Sequence, residues 1–136
     1  MAVLSFLGKF KNTGLLLIRV GIGLSFIFLH GYPKLMGGTE TWEMVGKSMG
    51  NIGVSQYPIV WGLAAGLVET IGGLLFMLGL LFRPVCILFA FVMLVASIHH
   101  ISAGDGFGVA SHPFEVGVLF LGMLLTGPGR YSVDKQ

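Results

Sequence analysis

Four long apolar runs, punctuated by prolines, dominate the pattern of this chain. They are TGLLLIRVGIGLSFIFLHGY over 13–32, PIVWGLAAGLVETIGGLLFMLGLLF over 58–82, PVCILFAFVMLVASIHHI over 84–101 and PFEVGVLFLGMLLTG over 113–127. A helix that crosses a bilayer needs about 20 mostly apolar residues. Pro33, Pro58, Pro84 and Pro113 fall at the edges of these runs, where proline is tolerated. The pattern predicts an all-α protein, a four-helix transmembrane bundle forming one domain over 1–136. The fourth run is short, so either the bilayer thins around it or the helix starts earlier and kinks at Pro113.

The connections read differently. Residues 31–57 form the only sizeable piece outside the runs. Within it TETWEMVGKSMG can make a short amphipathic helix, with Trp42, Met44, Val45 and Met49 available to lie on the bundle or the interface. SAGDGFGVASH over 102–112 is rich in glycine and small residues and predicts a mobile loop. The opening MAVLSFLGKFKNTG is not built as a signal peptide, because its apolar part precedes the lysines. Residues 2–10 predict a short interfacial helix or a frayed lead-in.

Composition supports lipid as the solvent. Hydrophobic residues make up 54%, charged residues only 10%, and the mean hydropathy is +0.89. A soluble domain carries about 25% charged residues. The net charge of +2 and the lack of a Lys/Arg cluster give no reason to expect nucleic acid. One cysteine, Cys86, excludes an internal disulfide and a CxxC redox pair. Lys9, Lys11, Arg19, Arg83, Arg130 and Lys135 collect on one side of the bundle, against Lys34 and Lys47 on the other. The positive-inside rule then places both termini in the cytoplasm, the 31–57 and 102–112 connections outside, and the Arg83-Pro84 turn inside. The expected location is the cytoplasmic (inner) membrane, as a multi-pass protein.

Ionisable residues within membrane spans usually face the bundle interior or a water-filled cavity. Here they are Arg19, His30, Glu69, His99, His100 and, at an edge, Glu115. Arg19, Gly23, Phe26 and His30 share one helical stripe, which Lys34 extends if the helix continues past Pro33. Gly62, Gly66, Glu69 and Gly73 repeat the same offsets. Gly62-x-x-x-Gly66 is a small-residue surface that lets a neighbouring helix approach. Rise per residue puts Glu69 near mid-bilayer and Arg19 within about 5 Å of that depth. An Arg19–Glu69 ion pair is therefore expected. It either pins two helices in register or serves as a proton-handling pair, and the catalytic residues stay open between these readings.

A second cluster is expected at the outer end. His30, His99, His100, His112 and Glu115 reach one membrane level. Such a group can bind a metal, hold a quinone headgroup or relay protons. Adjacent histidines cannot share a helix face, so at most one of His99 and His100 points inward, and no metal is assigned. Glu115 also fits a plain role at the third position of a helix starting at Pro113. The expected ligand-binding set is His30, Lys34, His99, His100 and Glu115.

Taken together, LIRVGIGLSFIFLHGYPKL (17–35), LVETIGGLLFMLGLLFRP (67–84), VASIHH (95–100) and TGPGRYSVD (126–134) resemble the DoxX family of small four-helix membrane proteins. The shared patterns are HGxPK, ExxGGxxxxxGLxxR and GPGxxSxD. The resemblance implies that the family's patterned positions map here onto Arg19, His30, Gly31, Lys34, Glu69, Gly72, Gly73, Arg83, Gly127, Pro128, Gly129, Ser132 and Asp134, but not His112. The family takes its name from a subunit of a thiosulfate:quinone oxidoreductase, and some relatives are linked to redox homeostasis. The resemblance thus implies a redox-linked membrane subunit that binds quinone between helices near the outer face. The chain has no haem, flavin or Fe–S motif, so electrons would come from a membrane or peripheral partner protein. The competing expectation is a non-catalytic scaffold or assembly partner, held through the Gly62/Gly66 face, with Arg19 and Glu69 as glue. A small-solute transporter is the weaker third, since four helices leave little room for a pathway without dimerisation. The sequence leaves homo-oligomerisation and the ligand's identity open.

Overall fold

The first apolar run does not stop at its proline. Helix α1 spans Ser5–Met36, opening in a tight 3-10 turn over Ser5–Phe10. The computed structural model describes residues 3–135, so residue 2 of the expected lead-in helix lies outside the described residues. Between Phe26 and Gly31 the helix widens into a π turn before resuming as Tyr32–Met36. A proline inside a helix lacks the N–H and crowds the carbonyl one turn back. The wider turn just before Pro33 provides room for it, and π turns recur at functional sites.

Helix α2, Gly38–Gly46, and a 3-10 turn over Lys47–Ile52 follow. They are the expected amphipathic segment. Helix α3 spans Pro58–Leu78, with a π turn of its own over Val68–Gly72. It ends four residues before the expected boundary, because Gly79 takes a left-handed φ of 68° and reverses the chain. Helix α4 spans Phe82–Ser102 and keeps Pro84 in its first turn. Helix α5 spans Phe107–Thr126 with Pro113 inside it, which settles the short fourth run in favour of an earlier start. The expected mobile loop over 102–112 shrinks accordingly. Gly104 and Gly106, both at positive φ, make the turn, and Phe107 onward is helical.

The long helices pack as an antiparallel bundle. Helices α1 and α3 approach closely where Gly23 faces Gly73 and where Gly31 faces Thr70. Helices α4 and α5 form the other large contact, and the C-terminal half of α3 joins the pairs. The centre is aromatic. Phe89 and Phe120 stack with centroids 4.5 Å apart, and Phe26 meets Phe89 edge-on at 4.6 Å. Lipid tails are as apolar as these side chains, so close packing and ring geometry, not transfer from water, favour association.

Gly62 and Gly66 bear on the scaffold expectation. Neither is a free surface for another protein. The chain's own helices cover them, with Gly62 against the Trp42 backbone of α2 and Gly66 against Leu35 near the end of α1. A Cβ at position 62 would lie 1.8 Å from the Trp42 carbonyl oxygen. Gly62→Ala should therefore lift α2 off α3 and lower stability by about 1–3 kcal/mol, read as thermal unfolding in detergent. Gly122→Ala, with nothing within 4 Å of its Cβ, should leave the transition in place.

Candidate functional site

The two buried charges do not meet. Arg19 and Glu69 are both 1% exposed, but each has another partner. The Arg19 guanidinium donates from Nε to the Phe76 carbonyl (3.2 Å), from Nη2 to the Met77 carbonyl (2.7 Å), and from Nη1 to the carbonyls of Pro128 (2.9 Å) and Tyr131 (2.6 Å). The last turn of a helix has unsatisfied carbonyls, and a cation there is favoured. Arg19 thus caps α3 and clamps the segment after α5. The expected Arg19–Glu69 pair is corrected on this point. Phe76 and Met77 lie about 11 Å along the axis from Glu69 at 1.5 Å per residue.

The rest of the GPGxxSxD segment completes that end. Asp134 accepts from the backbone N–H groups of Leu81 (3.1 Å) and Phe82 (2.9 Å), capping the start of α4. Val133 and Asp134 donate their own N–H groups to the carbonyls of Leu78 and Gly79. Gly79 must stay bare, since a Cβ there would lie 2.8 Å from the Arg19 guanidinium. Arg19 is therefore no surface cation for setting orientation.

Glu69 pairs with Lys34. The Lys34 ammonium donates to Glu69 Oε1 at 2.6 Å and also to Oε2. The carboxylate is nearly sealed, with 2% of its side chain exposed, whereas the lysine keeps 27%. Lys34 reaches this position because α1 continues past Pro33, and the two π turns, Phe26–Gly31 and Val68–Gly72, pack against each other beside the pair. The Trp42 indole N–H donates to the Lys34 carbonyl at 2.9 Å, tying α2 to the end of α1.

The pair forms part of the wall of a cavity of about 250 Å³. Trp61, Ala64, Ala65 and Val68 of α3 line one side, and Leu88, Phe91, Val92 and Val95 of α4 the other. Val45, Gly46, Ser48 and Met49 form a roof. Lys34, Ser48 and Glu69 contribute the polar side chains in an otherwise apolar lining. The small Ala64 and Ala65 make the space. The sequence held no signal for this, because alanines inside an apolar run look like any packing position.

The histidines reach one end of the bundle but do not converge. His30 packs its ring on Phe26, centroids 5.1 Å apart. His99 Nδ1 meets Asn51 Nδ2 at 3.2 Å, linking α4 to the roof. His100 Nδ1 meets Asp105 Oδ2 at 2.7 Å within the short turn. His112 and Glu115 are exposed on α5, well inside the helix rather than at its start. Among the described residues no three His, Cys, Asp or Glu side chains gather closely enough to hold a metal ion. Of the expected ligand set only Lys34 lines the cavity, and Glu69 joins it. His30, His99, His100 and Glu115 are not among the lining residues.

Four apolar helices long enough to cross a bilayer, with two buried charges satisfied inside, define an integral membrane bundle. The chain belongs to the DoxX family, whose model matches residues 14–101. It is 31% identical to "Inner membrane protein YphA" of Escherichia coli (strain K12), over 95% of this chain and 94% of that protein. It is 30% identical to "Putative oxidoreductase CatD" of Bacillus subtilis (strain 168), over 94% and 90% respectively. No solved structure matches the chain. The protein is a multi-pass protein of the cytoplasmic membrane.

Proposed function

We propose that the protein binds a quinone-class ligand in the cavity between α3, α4 and the roof, as the membrane-embedded subunit of a redox system. The observation that carries this reading is an ion pair in the wall of a cavity within the membrane whose other lining, Ser48 apart, is apolar. A bilayer-soluble ligand with a small neutral polar head suits such a lining. The Lys34 ammonium has three donors and can donate to a ring carbonyl. The Glu69 carboxylate can accept from the hydroxyl of the reduced form. The pair thus fits both states of the ring without changing partners. A bound quinone supplies two-electron, two-proton chemistry, and the apolar walls exclude water from it. CatD, a relative, bears the name of an oxidoreductase, which favours the same class. Electrons would arrive from a partner protein, as the chain has no haem, flavin or Fe–S motif.

Lys9, Lys11, Arg83 and Arg130 all remain exposed at the end that carries both termini. By the positive-inside rule that end faces the cytoplasm, which puts the roof and the Lys34–Glu69 cavity toward the outer face.

The test is purification in a mild detergent, followed by solvent extraction and chromatography of quinones. The expected result is near-stoichiometric quinone in the wild type, lost in Ala65→Phe, which fills the cavity, and retained in His30→Ala, which lies outside it. Wild-type protein without quinone, or quinone unaffected by Ala65→Phe, rejects the reading.

A further inference from the structure

Resting on that reading, we propose that the ligand is long-tailed and that its tail has its own track. The tail leaves the cavity sideways between α3 and α4, crosses Phe91, and lies in the groove between α4 and α5. Three observations point this way. A cavity of about 250 Å³ falls below the roughly 300–1,000 Å³ that encloses a whole drug-sized ligand. It suits a head, and the remainder must lie elsewhere.

The cavity's lateral wall is open to lipid. Leu88 and Phe91 both line it and both stay substantially exposed on the bundle surface, 48% and 44%. The roof residues Val45, Gly46 and Met49 close the other direction. A ligand that dissolves in the bilayer has its entry between the two helices.

Phe91 also lines a second apolar cavity of about 270 Å³, on the other flank of α4. Leu94, Phe114, Val118 and Leu121 contribute there. One exposed ring is therefore a shared wall of both spaces. Gly117 and Met93 line it too, and a Cβ at position 117 would lie 3.3 Å from the Met93 Cβ. The occupant we assign to this groove is the tail of the molecule whose head sits at Lys34. The charge balance of the head site selects against an anionic phospholipid. Lys34 and Glu69 together are neutral, and a phosphate would lie beside a carboxylate.

The test uses the full chain in phosphatidylcholine nanodiscs. The probe is a benzoquinone with a diazirine midway along its isoprenoid tail. Tryptophan quenching, reduced in Trp61→Phe, reports the ring. Peptide mass spectrometry after illumination maps the tail. Cross-links should concentrate on Phe91, Leu94, Phe114 and Leu121. They should fall about tenfold or more in Ala65→Phe and in Lys34→Met/Glu69→Gln, which denies the head its seat without stranding a charge. Quenching that persists while cross-links scatter over all lipid-facing positions, or stay unchanged in both variants, overturns the tail track and leaves the head site standing. No quenching in the wild type removes the head site and the tail track with it. Displacement of the ring by added phosphatidylglycerol assigns the cavity to an anionic lipid and overturns the proposal.

Discussion

Replacing Arg19 by alanine should unfasten one whole end of the bundle. The side chain is buried and donates to four carbonyls, two at the end of α3 and two in the segment after α5. Hydrogen bonds from a charged donor contribute about 1.5–3 kcal/mol each when removed singly, and they do not add independently. The alanine variant also leaves a cavity the size of a guanidinium and carbonyls with no donor. A loss of about 4 kcal/mol or more is expected, at the upper end for a single substitution. It should appear as a large fall in the thermal transition in detergent, with new protease cleavage after residue 126. Arg19→Lys should recover only part, because one ammonium cannot reproduce a planar fork aimed at separate carbonyls. A transition within about 1 kcal/mol of wild type would mean that the clamp is held by Asp134 and the backbone alone.

Lys34→Ala should be nearly as damaging, for a different reason. It strands Glu69, a carboxylate with only 2% of its side chain exposed, without a cation. Removing one partner of a buried pair costs about 3–5 kcal/mol, whereas replacing both is often close to neutral. Lys34→Met/Glu69→Gln should therefore melt much closer to wild type than Lys34→Ala does. The double-variant cycle checks this directly, and equal damage from single and double variants would show that the pair is not an energetic unit. Ligand binding should separate from stability here: the double variant folds but has lost the charges that would hold a head.

Much of this architecture was legible in the chain. Apolar runs of membrane length located all four crossings, since nothing but lipid suits such composition. Helical spacing picked the Gly23 and Gly73 faces that do meet, and it marked Arg19 and Glu69 as interior. Their partners were not legible. Run boundaries give the right depths only if the helices end there, yet α1 continues past Pro33 on a widened turn and α3 stops at Leu78. Both changes shift the register, moving Lys34 opposite Glu69 and Arg19 opposite the end of α3. A π turn leaves no mark in hydropathy, so the shift could not be read. The roof was visible as an amphipathic segment, but which helix it covers depends on Gly46 and Gly62 touching backbone. The segment after α5 has no periodicity at all. Its role follows from where its carbonyls fall in space, and only the resemblance had singled it out.

The clamp at Arg19 also sets an order of events during biosynthesis. Arg19 enters the membrane with the first crossing, yet its acceptors at Pro128 and Tyr131 are translated 109 and 112 residues later. Until Phe76 and Met77 follow, 57 and 58 residues on, that arginine has none of its final acceptors, and from then until the chain passes residue 128 it has half of them. The nascent chain must shelter it meanwhile, at the insertion machinery or beside water, until the last crossing has been delivered.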